Sequence, residues 1–145
     1  MGGTVFLVLL AILCGIAVTF QGHFMGLLDR GLGTRESVFI TYGGGGLIAA
    51  LMMAGSRGGN LREFSGVPWF AFSAGLLGLF IVAAIGYVVP RLGLAKGFTL
   101  IVASQFLLAA LLDQFGFLGA VPRPLDWARM LGIGMLLAGV WLIVR

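Results

Sequence analysis

Residues 5–28 read VFLVLLAILCGIAVTFQGHFMGLL and contain no Asp, Glu, Lys or Arg. A helix needs about 20 residues, at 1.5 Å each, to cross a bilayer core about 30 Å thick, so this stretch is long enough to span a membrane. Four more apolar runs reach or approach that length, at residues 38–54, 69–89, 97–118 and 128–144. We therefore predict an all-α integral membrane protein with five transmembrane helices.

The composition supports the same conclusion. Hydrophobic residues make up 60% of the 145 residues and charged residues only 10%, whereas a soluble domain carries roughly 25% charged residues. The nine basic residues are scattered and are not interleaved with aromatic residues, which indicates membrane anchors and not a nucleic-acid surface. Because the connections are short, we expect residues 1–145 to form a single transmembrane domain whose partner is the lipid bilayer.

The residue sets on which most enzymes depend are missing from the sequence. It contains no glycine-rich phosphate loop with a lysine, no cysteine or histidine cluster, and no Ser, His and Asp set of the kind that hydrolases use. Cys14 and His23 are the only residues of their types, so neither has the partners that a metal site needs. We expect no enzymatic activity, no metal and no cofactor.

Among the polar side chains within the predicted helices, four stand out: Gln21, Tyr42, Gln105 and Asp113. A carboxylate at the bilayer centre costs about 2.5 to 3.5 kcal/mol, so such groups are candidates for function. Gln105 and Asp113 are eight residues apart, about 80° around a helix axis, and can face one cavity. We predict that the four line a substrate-binding cavity, in which Asp113 also couples a proton or ion. Two alternatives stay open: Asp113 marks a helix end, or the glutamines form interhelical hydrogen bonds.

Glycines form a second pattern, because four of them follow one another from Gly43 to Gly46. Each costs a helix about 1 kcal/mol relative to Ala, and this cost predicts a compensating close approach of another helix. A broken helix that lines a water-filled site is the alternative. The predicted packing positions are Gly22, Gly26, Gly43, Gly44, Gly45, Gly46, Gly75 and Gly78.

Several of these residues belong to a pattern that covers nearly the whole chain. It consists of Gln21 ahead of Leu32-Gly33, Trp69 leading into Gly75 and Gly78, Pro90-Arg-Leu-Gly93, Gln105, Asp113-x-Phe115-Gly116, Pro124-Leu125, Arg129, Gly132 and Gly139. In these residues the chain resembles the YdcZ-type family of small inner-membrane exporters, within the drug/metabolite transporter superfamily. It departs from the family pattern at Met25, Ser104 and Gln114.

The resemblance implies a multi-pass protein of the bacterial inner membrane that corresponds to half of a larger transporter, since larger members of the superfamily fuse two inverted halves. We expect a secondary transporter that exports a small organic molecule and works as a homodimer. A passive ion channel formed by an inverted dimer is one alternative, and an accessory membrane subunit is another.

The distribution of basic residues predicts the orientation of the two copies. Five helices place the termini on opposite sides of the membrane. The N-terminal side receives Arg57, Arg62, Arg123 and Arg129. The other side receives Arg30, Arg35, Arg91, Lys96 and Arg145. This near balance gives little positive-inside bias, so we expect insertion in both orientations and an antiparallel homodimer. The alternative is one orientation with a parallel partner.

Overall fold

The computed structural model of the protein describes residues 2–61, 66–119 and 121–145. Arg62, one of the basic residues counted above, lies outside the described residues. Five helices in the described part are long and apolar enough to cross a membrane, which confirms the predicted fold class. They are α1 (Gly2–Leu32), α2 (Thr34–Gly55), α3 (Ala74–Leu92), α4 (Leu94–Phe115) and α5 (Trp127–Val144). Short 3₁₀ turns precede α3 and follow α4.

Single glycines separate α1 from α2 and α3 from α4. Gly33 has a φ of 109° and Gly93 a φ of 86°, values that glycine adopts readily and that are strained for residues with a Cβ atom. The N–H of Gly33 donates to the carbonyl O of Asp29 at 3.0 Å, and the N–H of Ser37 donates to the carbonyl O of Gly33 at 3.1 Å. The backbone hydrogen bonds of α1 therefore continue into α2 with almost no loop.

The helices do not end where the apolar runs end. α1 and α3 continue past their runs, so Arg30 and Arg91 lie in the last helical turns, where a positive charge interacts favourably with the helix carbonyls. α4 ends earlier than its run, at Phe115, because Gly116 takes the left-handed conformation (φ 65°) and caps the helix.

The chain divides into two compact units, Met1–Arg91 and Leu92–Arg145. In the first unit, α1, α2 and α3 meet around the buried side chain of Met25. The hydroxyl of Ser37, also buried, donates to the carbonyl O of Met25 at 3.1 Å. A Cβ atom at Gly86 would lie 3.2 Å from the Met25 Cε, and one at Gly26 would lie 3.7 Å from the Pro90 ring. Small residues on α1 and α3 thus allow the helices to approach closely.

An ion pair joins the C-terminal ends of α1 and α3 in the first unit. Nη1 of Arg91 lies 3.1 Å from Oδ2 of Asp29, whose side chain is only 6% exposed. Oδ1 of Asp29 accepts a hydrogen bond from the Thr34 hydroxyl at the start of α2. The Arg91 guanidinium also stacks 3.6 Å from the centre of the Tyr87 ring. All three helices of the unit are therefore linked at this end through one carboxylate.

In the second unit, α4 packs against α5 and buries Gly97 and Ala103. The side chain of Asp126 caps α5 by accepting from the N–H of Arg129 at 2.7 Å. At the other end of α5, Nζ of Lys96 donates to the carbonyl O of Val144 at 3.1 Å. Because Lys96 lies in the first turn of α4 and Val144 is the last residue of α5, this contact joins opposite ends of two antiparallel helices.

We expect Asp29→Asn to lower the stability of the folded protein by about 1 to 3 kcal/mol, because it leaves Arg91 without its ionic partner. Thermal unfolding in detergent micelles measures the change. Arg91→Gln should cost a similar amount, and the double variant should lose less than the sum of the two. Arg30→Gln is the matched control, since Arg30 donates only a 3.4 Å hydrogen bond to the carbonyl O of Pro90. Equal effects of Asp29→Asn and Arg30→Gln would contradict the assignment.

Candidate functional site

Two of the predicted site residues, Gln21 and Tyr42, line one open groove of about 340 Å³ in the first unit. Thr41 and the small residues Gly45 and Gly46 complete much of its wall. At 1.5 Å per residue, Gln21 lies about 16 Å and Tyr42 about 12 Å from the ends of α1 and α2 that the Gly33 turn joins. The groove therefore lies near the middle of the helices, at membrane depth.

α3 holds the side chain of Tyr42 in position. The Tyr42 hydroxyl donates to the carbonyl O of Gly75 at 3.0 Å. A Cβ atom at Gly78 would collide with the Tyr42 hydroxyl oxygen, so the absence of a side chain at that position makes room for the tyrosine. The hydroxyl thus ties α2 to α3, and the ring is left as one wall of the groove.

Gln21 is exposed and is shared by two grooves of the first unit. The second groove, of about 420 Å³, is mostly apolar and includes Phe20, Phe24 and Met25. The hydrogen bonds found among the described residues do not involve the Gln21 amide. Its donor and acceptor are therefore both available to a bound molecule.

The glycine run lies on the same helix as Tyr42. α2 is a continuous α-helix through Gly43 and Gly46, so the alternative of a broken helix is wrong. A Cβ atom at any of the four glycines would meet nothing within 4 Å, and the same holds for Gly75. Close packing at these glycines remains a prediction. Gly22 and Gly26, by contrast, are buried within the chain.

Asp113 lines an open groove of about 370 Å³ in the second unit, between α4 and α5. It lies in the last turn of α4 and is half-buried. The two interpretations of this residue are thus compatible, because Asp113 marks a helix end and also faces a groove. A carboxylate is unfavourable in the last turn of a helix, so helix stability does not explain its position.

Gln105 lies eight residues before Asp113 on α4 and is exposed. Two grooves are described for this unit, and Gln105 lines neither of them. The structure thus brings Gln21 and Tyr42 together in one unit and places Asp113 in a groove of the other. A cavity common to all four residues stays a prediction. Among the described residues, no group of three or more His, Cys, Asp or Glu side chains is arranged to hold a metal ion.

The sequence did not predict a structural role for Asp29 or a place for Arg129 in a groove. Asp29, the carboxylate that links the three helices of the first unit, follows directly after an apolar run. Arg129 lines the same groove as Asp113. The sequence offers little indication of either role. The partner of Asp29, Arg91, is 62 residues away. Arg129 and Asp113 lie on different helices and come together only when α4 packs against α5.

Comparison with known proteins identifies one family. A family model described as "Putative inner membrane exporter, YdcZ" matches residues 6–142. The match covers nearly the whole chain and confirms the resemblance that the sequence motifs indicated. No curated protein and no solved structure matches the chain.

We expect Gly78→Ala to displace Tyr42 and break its hydrogen bond to the Gly75 carbonyl, whereas Gly75→Ala, whose Cβ atom meets nothing within 4 Å, should leave that hydrogen bond intact. Both changes replace a helical Gly by Ala, which favours the helix by up to about 1 kcal/mol. Gly78→Ala should therefore be about 0.5 to 1.5 kcal/mol less stable than Gly75→Ala, the usual net worth of one hydrogen bond. Thermal unfolding measures the difference, which should shrink in a Tyr42→Phe background. A difference that persists there would show that the hydroxyl is not responsible.

Proposed function

The chain belongs to the YdcZ family of inner membrane exporters, and from that premise we propose that it is a secondary transporter of a small organic molecule and works as an inverted homodimer. The family and the five membrane-spanning helices make it a multi-pass protein of the inner membrane. The nature of the cargo, the mechanism and the dimer are the parts that we propose.

The groove of Gln21 and Tyr42 is the observation that carries the proposal. Its volume of about 340 Å³ lies in the range of small-molecule sites, about 300 to 1,000 Å³. Such sites have mostly apolar walls with a few polar groups that orient the ligand. The free amide of Gln21 and the ring of Tyr42, at membrane depth, supply this combination.

The need for a second copy is supported by how little of the chain is buried. Among the described residues, only four apolar side chains are buried: Met25, Ile85, Val89 and Ala103. Gly43 and Gly46 form a face of α2 at the edge of the groove, and a Cβ atom at either would meet nothing within 4 Å among the described residues. A second copy in contact with this face would offset the cost of the glycines and enclose the groove.

An inverted arrangement of the two copies is supported by the charge balance. In the first unit, Arg30, Arg35 and Arg91 lie at the end where α1 meets α2, and Arg57 follows the opposite end of α2. Over the whole sequence the two sides differ by one basic residue. Two oppositely inserted copies would be related by a pseudo-two-fold axis in the membrane plane, the symmetry that alternating access uses in other transporters.

Flux measured in proteoliposomes tests the transport mechanism and the role that we assign to Asp113. A carrier should show saturable uptake and counterflow, and Asp113→Asn should abolish both because it removes the coupling charge. Asp126→Asn is the matched control, since Asn also caps helices well and this change removes a carboxylate outside the groove. Wild-type flux in Asp113→Asn would remove Asp113 from the mechanism. Ion conduction far above carrier rates would indicate a channel, and a requirement for an unrelated protein would indicate an accessory subunit.

Reporter fusions to the C-terminus test the inverted dimer. We expect activity from both a cytoplasmic and a periplasmic reporter, because the basic residues give almost no orientational bias. Two added lysines on either side should then lock one orientation, and co-expression of the two locked forms should restore transport. Activity of only one reporter, unchanged by the lysines, would contradict dual insertion.

A further inference from the structure

Two opposite charges face the same groove in the second unit. Asp113 lies in the last turn of α4, Arg129 lies in the first turn of α5, and both line the groove of about 370 Å³. No ion pair joins them in the described part of the chain, where the one ion pair is that of Asp29 with Arg91. The groove therefore presents a carboxylate and a guanidinium that do not neutralise each other.

The backbone around both residues is held in place. The carbonyl O of Asp113 accepts from the N–H of Arg123 at 2.7 Å. The N–H of Arg129 donates to the side chain of Asp126 at 2.7 Å. By contrast, no hydrogen bond among the described residues uses the Asp113 carboxylate, and the Arg129 guanidinium makes one long contact, 3.4 Å to the carbonyl O of Arg123. The charged groups remain available, while the backbone that carries them is held by hydrogen bonds.

The rest of the groove is apolar. Phe106 and Ala109 contribute from α4, and Ile133 and Leu136 contribute from α5. At 1.5 Å per residue, the groove extends about 10 Å along α4 from Asp113 to Phe106. It therefore has a charged end near the helix termini and an apolar body that runs toward the middle of the helices.

We infer that this groove is a substrate subsite for an amino-acid-like zwitterion with an apolar side chain. The ligand's ammonium group pairs with Asp113, its carboxylate pairs with the planar guanidinium of Arg129, and its side chain lies against Ala109 and Phe106. A zwitterion satisfies both protein charges and brings no net charge into the apolar surroundings, where an uncompensated charge is costly. This inference rests on the proposed export of a small organic molecule and names its substrate class.

Binding of phenylalanine and of three analogues to the purified protein in nanodiscs tests the assignment. Phenylalaninamide and phenethylamine keep the amine without the carboxylate, and N-acetylphenylalanine keeps the carboxylate without the amine. Calorimetry should show phenylalanine binding at least about tenfold more tightly than any of the three, the change expected from one lost charged contact. Similar affinities for all four, or no binding of phenylalanine, would overturn the inference.

Substitutions of Asp113 and Arg129 test which of the two charges recognises which group of the ligand. Asp113→Asn should remove the preference for phenylalanine over N-acetylphenylalanine and keep the preference over phenylalaninamide. Arg129→Gln should remove the preference for phenylalanine over phenylalaninamide and keep the preference over N-acetylphenylalanine. Arg129→Lys should partly restore the preference over phenylalaninamide. Thr99→Val, in another groove between the same two helices, is the matched control and should leave the pattern unchanged. Loss of both preferences together in each variant would indicate a structural role and contradict the subsite.

Two further measurements separate this inference from the proposed function and from lipid binding. Proteoliposomes that exchange phenethylamine but no zwitterion would leave the exporter standing and remove the subsite. Phenylalanine binding with the pattern above, but without flux of any solute, would keep the subsite and remove the export proposal. Phosphatidylethanolamine has an ammonium group and a phosphate in its headgroup, whereas phosphatidylglycerol has no ammonium group. Phenylalanine binding that occurs in phosphatidylglycerol nanodiscs and is lost in phosphatidylethanolamine nanodiscs would identify the lipid headgroup as the occupant, and the substrate assignment would be wrong.

Discussion

Lipid offers no hydrogen-bond partners, so each backbone N–H and C=O group at membrane depth has to be satisfied within the helix that carries it. The connection between α1 and α2 satisfies this constraint with almost no loop. α1 and α2 are separated only by Gly33, and the hydrogen bonds of Asp29 and Ser37 continue across it. Only a residue that adopts a positive φ without strain allows so short a connection. The position of Gly33 therefore determines which residues of α1 and α2 lie at the same depth.

Polar side chains obey the same constraint in two different ways. Asp29 and Arg91 neutralise each other at 3.1 Å and hold helix ends together. Asp113 and Arg129 face one groove but form no such pair. The first arrangement has no charge left for a ligand, whereas the second leaves a carboxylate and a guanidinium unpaired in one groove. This difference in pairing is the reason why we infer a binding role for the second pair and a structural role for the first.

Glycines show a similar contrast between the inside and the outside of the chain. Gly26 and Gly86 lie where helices of the first unit touch, and their missing side chains make room for Pro90 and Met25. Gly43 and its three successors have open space around them. Because a glycine run costs helix stability, the open space around it is one of the observations behind the dimer that we propose.

The number of helices and the membrane setting were determined by the sequence alone, because apolar runs of sufficient length form helices in lipid through local hydrogen bonds. A pattern of residues across the chain, most specific between Gln105 and Gly116, also indicated the family. Only the tertiary structure placed Asp113 in a groove and left Gln105 exposed, since angular spacing on one helix does not show which face a neighbour covers. The role of Asp29 could not be predicted for a related reason. Its partner Arg91 is 62 residues away, and a pairing over that distance exists only once the helices have packed.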